Sequence, residues 1–116
     1  MRRLLVSLAL AATVLALPAA SYAANPVPVS LAGVLFNNKA NDKITIKLGG
    51  SLRFTWKNGF HNVLTSKAPA GANKVSSGAP SATHKPITFK PTKKGKYVFY
   101  CLPHRALGMV LTLTVK

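Results

Sequence analysis

Cys101, His104 and Met109 lie in one short run, Cys101-Leu102-Pro103-His104-Arg105-Ala106-Leu107-Gly108-Met109, three and eight positions apart from the cysteine. A thiolate, an imidazole and a thioether in one loop form a mixed soft and borderline donor set. Such a set suits copper cycling between Cu(I) and Cu(II), because sulfur donors favour Cu(I) while imidazole serves both states. A second imidazole is available upstream at His61, within Asn58-Gly59-Phe60-His61-Asn62-Val63.

Each residue also has a plainer reading. Cys101 is the only cysteine, so it makes no intramolecular disulfide, and a free thiol often serves as a small buried hydrophobe. Met109 taken alone reads as a core residue opening the last strand. His61 and His104 taken alone read as turn and loop histidines. It is the joint spacing that favours a metal. Pro103 stiffens the loop before His104. Gly108 lets the chain turn back before Met109. A C-x-x-C-H haem signature is missing, and one cysteine cannot hold an iron–sulfur cluster.

The pattern C-x-P-H-x-x-x-G-M after a Tyr/Phe-rich strand, with His61-Asn62-Val63 upstream, resembles the small blue copper proteins, or cupredoxins, of plastocyanin and pseudoazurin type. The resemblance implies one type 1 copper held by His61, Cys101, His104 and an axial Met109. It implies that the Asn62 amide hydrogen-bonds the cysteine sulfur while the Asn62 side chain ties the two ligand loops together. It also implies electron exit through an exposed His104 edge and partner docking near it. Phe60, Pro103, Ala106 and Leu107 are the candidates for an apolar docking patch, with Tyr100 beside them either docking or packing. Arg105 departs from the small or neutral residues common at its position. The third histidine, His84, has no role in the pattern and is expected at the surface.

These residues must be positioned by strands. Val27–Leu31 and Gly33–Phe36 read as short first strands, with Pro28 at an edge. Ile44, Ile46 and Leu48 alternate with polar residues, and Leu52, Phe54 and Trp56 do so more clearly. Asn58-Gly59 is a turn signal that places His61 at a sheet end. Val63 and Leu64 resume a short strand. The segment 66–85 reads as a long loop with one helical turn near Ala70–Asn73. Ile87–Phe89 is a strand, and Tyr97, Phe99 and Cys101 share one face of another. Met109, Leu111, Leu113 and Val115 line the last. Seven to eight short strands predict an all-β sandwich; its Greek-key connectivity is implied by the resemblance.

The chain has 116 residues, the length of one domain. Arg2 and Arg3, the apolar run 4–17 and Ser21-Tyr22-Ala23 read as a secretory leader over residues 1–23. The run is too short to span a membrane comfortably. Residues 24–116 would then form the copper-binding domain, exported to the periplasm or beyond. The sequence carries 16 Lys and Arg against one acid, Asp42. Losing Arg2 and Arg3 would leave a net charge near +13. Such a field steers association with acidic partners. Lysines around the His104 end are therefore expected to meet an acidic face on a redox partner. Nucleic acid is not expected, because no stacking aromatic pattern accompanies the charge.

The leading function is a soluble, monomeric one-electron carrier. The alternative is a copper carrier or storage protein using the same ligands; a single methionine beyond the leader disfavours it. A copper enzyme would need further copper sites, and three histidines are too few.

Overall fold

The computed structural model describes residues 9–15 and 25–116. Most of the expected leader lies outside the described residues. Among the described residues, no helix is long and apolar enough to cross a membrane.

Among the described residues, eight strands build two four-stranded sheets. The strands are β1 Val27–Ala32, β2 Leu35–Phe36, β3 Asp42–Ile46, β4 Leu52–Trp56, β5 Leu64–Lys67, β6 Ile87–Phe89, β7 Gly95–Tyr100 and β8 Val110–Val115. One sheet runs β2-β1-β4-β6 and the other β3-β8-β7-β5. β1 pairs with β4 in parallel, as does β3 with β8. Every connection except β1–β2 and β7–β8 carries the chain from one sheet to the other. This is the all-β sandwich the strand pattern predicts, with crossings between sheets of the kind the resemblance implies.

Period-two alternation explains the pairing of faces. Leu52 and Phe54 of β4, Tyr97 and Phe99 of β7, and Leu111, Leu113 and Val115 of β8 all point inward and are buried. Each large apolar side chain so buried contributes roughly 1.5–3 kcal/mol. Phe54 meets Phe36 and Phe99 edge-on, with ring centroids 6.2 and 5.4 Å apart. Such geometry keeps the centre of the sandwich rigid.

Strand directions then fix two ends. β4 and β7 finish, and β8 begins, at one end, which collects His61, Cys101 and Met109. The opposite end carries the turns between β3 and β4 and between β6 and β7.

Four elements differ from expectation. β2 is only Leu35–Phe36, because Gly33, at φ +59°, and Val34 form the turn out of β1. β3 starts at Asp42 and stops at Ile46, so Leu48 leaves the sheet and is 44% exposed. Its parity fitted a strand, but Gly49, at φ +100°, turns the chain just beyond it. β5 extends through Lys67, taking Ser66 and Lys67 out of the expected loop. The expected helical turn is instead a β-turn: the Ala72 amide donates to the Pro69 carbonyl at 3.0 Å, and Gly71 sits at φ +72°. The rest of the excursion is tied to the sheet by bridges between Leu64 and Ser76 and between His61 and Ser81.

The basic residues fall largely at the two ends of the sandwich. Lys39, Lys43, Lys57, Lys85 and Arg105 lie toward the Cys101 end. Lys47, Lys90, Lys93, Lys94, Lys96 and Lys116 gather at the opposite end, all exposed.

Candidate metal centre

β7 delivers Cys101 to the interior immediately after Tyr100. The chain then winds into a short 3-10 helix, Leu102–Leu107, with Pro103 in its first turn. Gly108 closes it in the left-handed conformation, at φ +94°, and its amide donates to the Arg105 carbonyl at 3.1 Å. A Cβ at Gly108 would stand 2.8 Å from the Ala40 Cβ, so glycine is required twice over. The Cys101 amide donates to the Met109 carbonyl at 3.1 Å, and the Met109 amide to the His104 carbonyl at 3.2 Å. The loop is thus stapled at both ends, with the Met109 side chain fully buried.

His61 reaches the same place from the other sheet. The Nδ1 atoms of His61 and His104 lie 3.8 and 3.6 Å from the Cys101 sulfur. One donor atom from each of the three residues falls within 4.8 Å of the others. The two imidazole rings stand 5.0 Å apart at 64°.

The His61 tautomer follows from its neighbour. Nε2 lies 2.7 Å from the Asn58 carbonyl oxygen. A carbonyl only accepts, so Nε2 carries the proton and Nδ1 presents its lone pair toward the sulfur. Gly59 makes this contact possible: a Cβ there would come within 2.7 Å of Nε2, and its φ is +86°. Trp56 steadies the same ligand from below, its Nε1 donating to the His61 carbonyl at 3.1 Å.

Asn62 joins the two ligand segments. Its Oδ1 accepts from the Leu102 amide at 2.8 Å, and its Nδ2 donates to the Gly78 carbonyl at 3.1 Å. Burial pushes the Cys101 thiol above its ordinary value, opposed by backbone amide bonds from Asn62 and His104. Burial likewise lowers His61, with repulsion from His104 adding and the Asn58 carbonyl opposing. Near neutral pH both shifts favour the uncharged forms of the Cys101 thiol and the His61 imidazole. A cation placed between them would displace the thiol proton.

The donor chemistry fits copper. Two borderline nitrogens and one soft sulfur converge, with a thioether-bearing residue bonded through its backbone to both Cys101 and His104. Hydrogen bonds behind each donor fix the orientation of that set.

Around the half-buried His104 lies an apolar rim. Phe60 is 54% and Leu107 60% exposed, with Pro103 and Ala106 exposed beside them. Leu102, 58% exposed, belongs to the rim as well and was missed from sequence. Strand parity could have found it, since Tyr97, Phe99 and Cys101 point inward and Leu102 falls on the opposite parity. Tyr100 is half-buried, and the Arg105 guanidinium lies 4.3 Å from its ring centroid. His84 is exposed as expected but stacks on Trp56, centroids 4.6 Å apart. Sequence alone gave no signal for that contact.

Comparison with known proteins agrees with this construction. Residues 32–116 match the family of copper binding proteins described as the plastocyanin/azurin family. The chain is 35% identical over 82 residues to plastocyanin of Prochlorothrix hollandica, a match covering 63% of this chain and 59% of that one. The chain thus spans about three fifths of that relative's length. Identity to plastocyanin B'/B'' of Nicotiana tabacum is 38% over 88 residues, covering 69% of this chain and 81% of the relative. Pseudoazurin from Methylobacterium extorquens AM1 superposes with a TM-score of 0.66 at 29% identity, covering 78% of this chain and 75% of that one. With its fold, its donor set and its sequence in agreement, this chain belongs to the plastocyanin/azurin family of copper-binding proteins.

Proposed function

We propose that the protein is an exported one-electron carrier whose copper is held by His61, Cys101, His104 and Met109. The observation that carries this reading is the convergence of both Nδ1 atoms on the Cys101 sulfur, fixed from behind by Asn58 and Asn62. Bound copper would supply a reversible one-electron couple. The chain's own part is rigidity. Both ligand segments are stapled to the sheets, so they change little when charge changes, which keeps reorganisation small. The fully buried Cys101 and Met109 keep water away from the sulfur donors. His104 alone among the donors is partly exposed, in a loop with exposed Leu102 and Leu107, and exposed Phe60 precedes His61. That rim suits brief docking of a redox protein, with an acidic border meeting Lys39, Lys57 and Arg105. Export is supported by the basic, apolar and small-residue order of residues 1–23.

Copper-loaded protein should show an intense visible thiolate-to-copper band, bleached by reductant and restored by oxidant. Cys101→Ser should remove it. A surviving band would overturn the ligand assignment. Rapid loss of the copper to a chelator, without reversible reduction, would point instead to a copper carrier.

A further inference from the structure

We propose that the end of the sandwich opposite the metal centre is a docking surface for an anionic phospholipid bilayer. Six exposed lysines crowd this one small end. Lys47, Lys90, Lys93, Lys94, Lys96 and Lys116 share the end formed by the β3–β4 and β6–β7 turns. Register brings them together: Gly95 pairs with Val115, and Ile46 with Val115 from the other side. The Leu48 amide donates to the Lys116 carbonyl at 2.9 Å, joining the β3–β4 turn to the end of β8.

No side-chain carboxylate balances them. Asp42, the only acid in the sequence, lies at the metal end, bonded to Asn37. Such a cluster raises the energy of the isolated protein through self-repulsion, which a negatively charged surface relieves.

The cluster is also rigid. The Tyr97 hydroxyl donates to the Lys93 carbonyl at 2.8 Å and accepts from the Lys93 amide at 3.2 Å. Asn73 donates to the Lys90 carbonyl at 2.8 Å and accepts from the Thr92 amide at 3.0 Å. The lysine backbone is therefore fixed before any partner arrives, which cuts the ordering cost of binding.

Leu48 selects a bilayer over other polyanions. It stands at the outer corner of a turn closed by the Gly50 amide on the Lys47 carbonyl at 3.0 Å, and is 44% exposed. A single apolar side chain projecting from a ring of lysines matches a surface of anionic headgroups over hydrocarbon. A nucleic acid would want exposed aromatics to stack on. Here Phe89 and Tyr97 are buried, and Phe60, Trp56 and Tyr100 lie toward the metal end. Docked this way, the protein turns His104 and its apolar rim away from the membrane, open to a partner.

Sedimentation with vesicles tests this in copper-free and copper-loaded protein alike, so it stands apart from the electron-carrier reading. Vesicles of one part phosphatidylglycerol to two parts phosphatidylcholine should bind the protein, and phosphatidylcholine alone should not. Binding should fade as salt shortens the Debye length to roughly 3 Å. Lys93→Glu with Lys94→Glu and Lys96→Glu should weaken it ~10-fold or more. The same charge change at the other end, Lys39→Glu with Lys57→Glu and Arg105→Glu, should weaken it far less. Leu48→Trp emission should shift to the blue on binding. Equal loss from both triple variants, or unshifted Leu48→Trp emission on bound vesicles, would overturn the proposal. So would tighter capture of heparin or duplex DNA than of vesicles through the same lysines.

Discussion

The His61 Nε2 proton points at the carbonyl oxygen of Asn58, 2.7 Å away, across a glycine that has no room for a side chain. One residue of backbone thus fixes both the tautomer and the aim of a proposed ligand. Gly59→Ala would drive a Cβ to within 2.7 Å of that nitrogen, at a left-handed φ of +86°. The ring must tilt or the loop must open. Copper affinity should fall ~10- to 100-fold, the usual cost of losing such support behind a ligand. Isothermal titration, with visible absorption to follow the thiolate band, would check it. An unchanged affinity would show that the Asn58 contact does not set the ligand's position.

Asn62 offers a cleaner separation of roles. Asn62→Ala removes the acceptor for the Leu102 amide and the donor to Gly78 together. A buried amide left unpaired costs roughly 1–3 kcal/mol, so the protein should melt earlier and release copper faster. Asn62→Asp keeps an acceptor for the Leu102 amide, loses the donor to Gly78 and adds a buried negative charge. It should recover most of the copper retention and less of the stability. Melting curves beside chelator-driven release rates distinguish the two bonds.

The convergence of His61, Cys101 and His104 was legible in the sequence because each flanks a strong signal: Asn58-Gly59 ends one strand, and inward parity from Tyr97 and Phe99 carries Cys101 inside. The sandwich was legible for the same reason, since alternation at Leu52, Phe54, Leu111 and Leu113 states which face is buried. Other features depend on where turns point, which alternation does not encode. Leu48 has the parity of a core residue and leaves the sheet because Gly49 turns the chain. Leu102, by contrast, was recoverable: its parity opposes the inward Tyr97, Phe99 and Cys101, and it is 58% exposed. Lysine positions along the chain show no clustering beyond Lys93, Lys94 and Lys96. The gathering of Lys47 and Lys116 beside them exists only once β3, β8 and β7 are paired. The His84–Trp56 stack closes across a long excursion and leaves no local trace.

The titration of the metal-free protein has a definite shape. An unfolded histidine titrates near 6.5, and burial holds His61 lower in the folded state. Below 6.5 the unfolded chain binds more protons at this residue, so stability falls as pH drops. An unfolded cysteine titrates near 9.0, and burial holds Cys101 higher. Above 9.0 the unfolded chain loses that proton first, so stability falls again as pH rises. Urea unfolding across pH should show both limbs. His61→Gln should flatten the acid limb and Cys101→Ser the alkaline one. Copper uptake near neutral pH should release about one proton, from the Cys101 thiol, in a weakly buffered titration.

Partner encounter should depend on which end of the molecule a charge occupies. On the proposed function, short-range contact belongs to the end that carries exposed Phe60, Leu102 and Leu107 and the partly exposed His104. Leu107→Glu should slow electron exchange with an acidic redox partner while leaving the visible band unchanged, because it spoils docking and touches no donor. Long-range attraction comes from the whole positive field and is screened over roughly 8 Å at physiological ionic strength. Exchange rates should therefore fall as salt rises. Lys57→Glu stands near the rim and should reduce the low-salt rate several-fold, since charges close to a contact dominate steering. Lys94→Glu changes the net charge equally at the far end and should reduce it much less. Stopped-flow rates over a salt series with both variants separate these effects. Equal slowing by both would assign the attraction to net charge alone, and a flat salt profile would remove electrostatic steering from the encounter altogether.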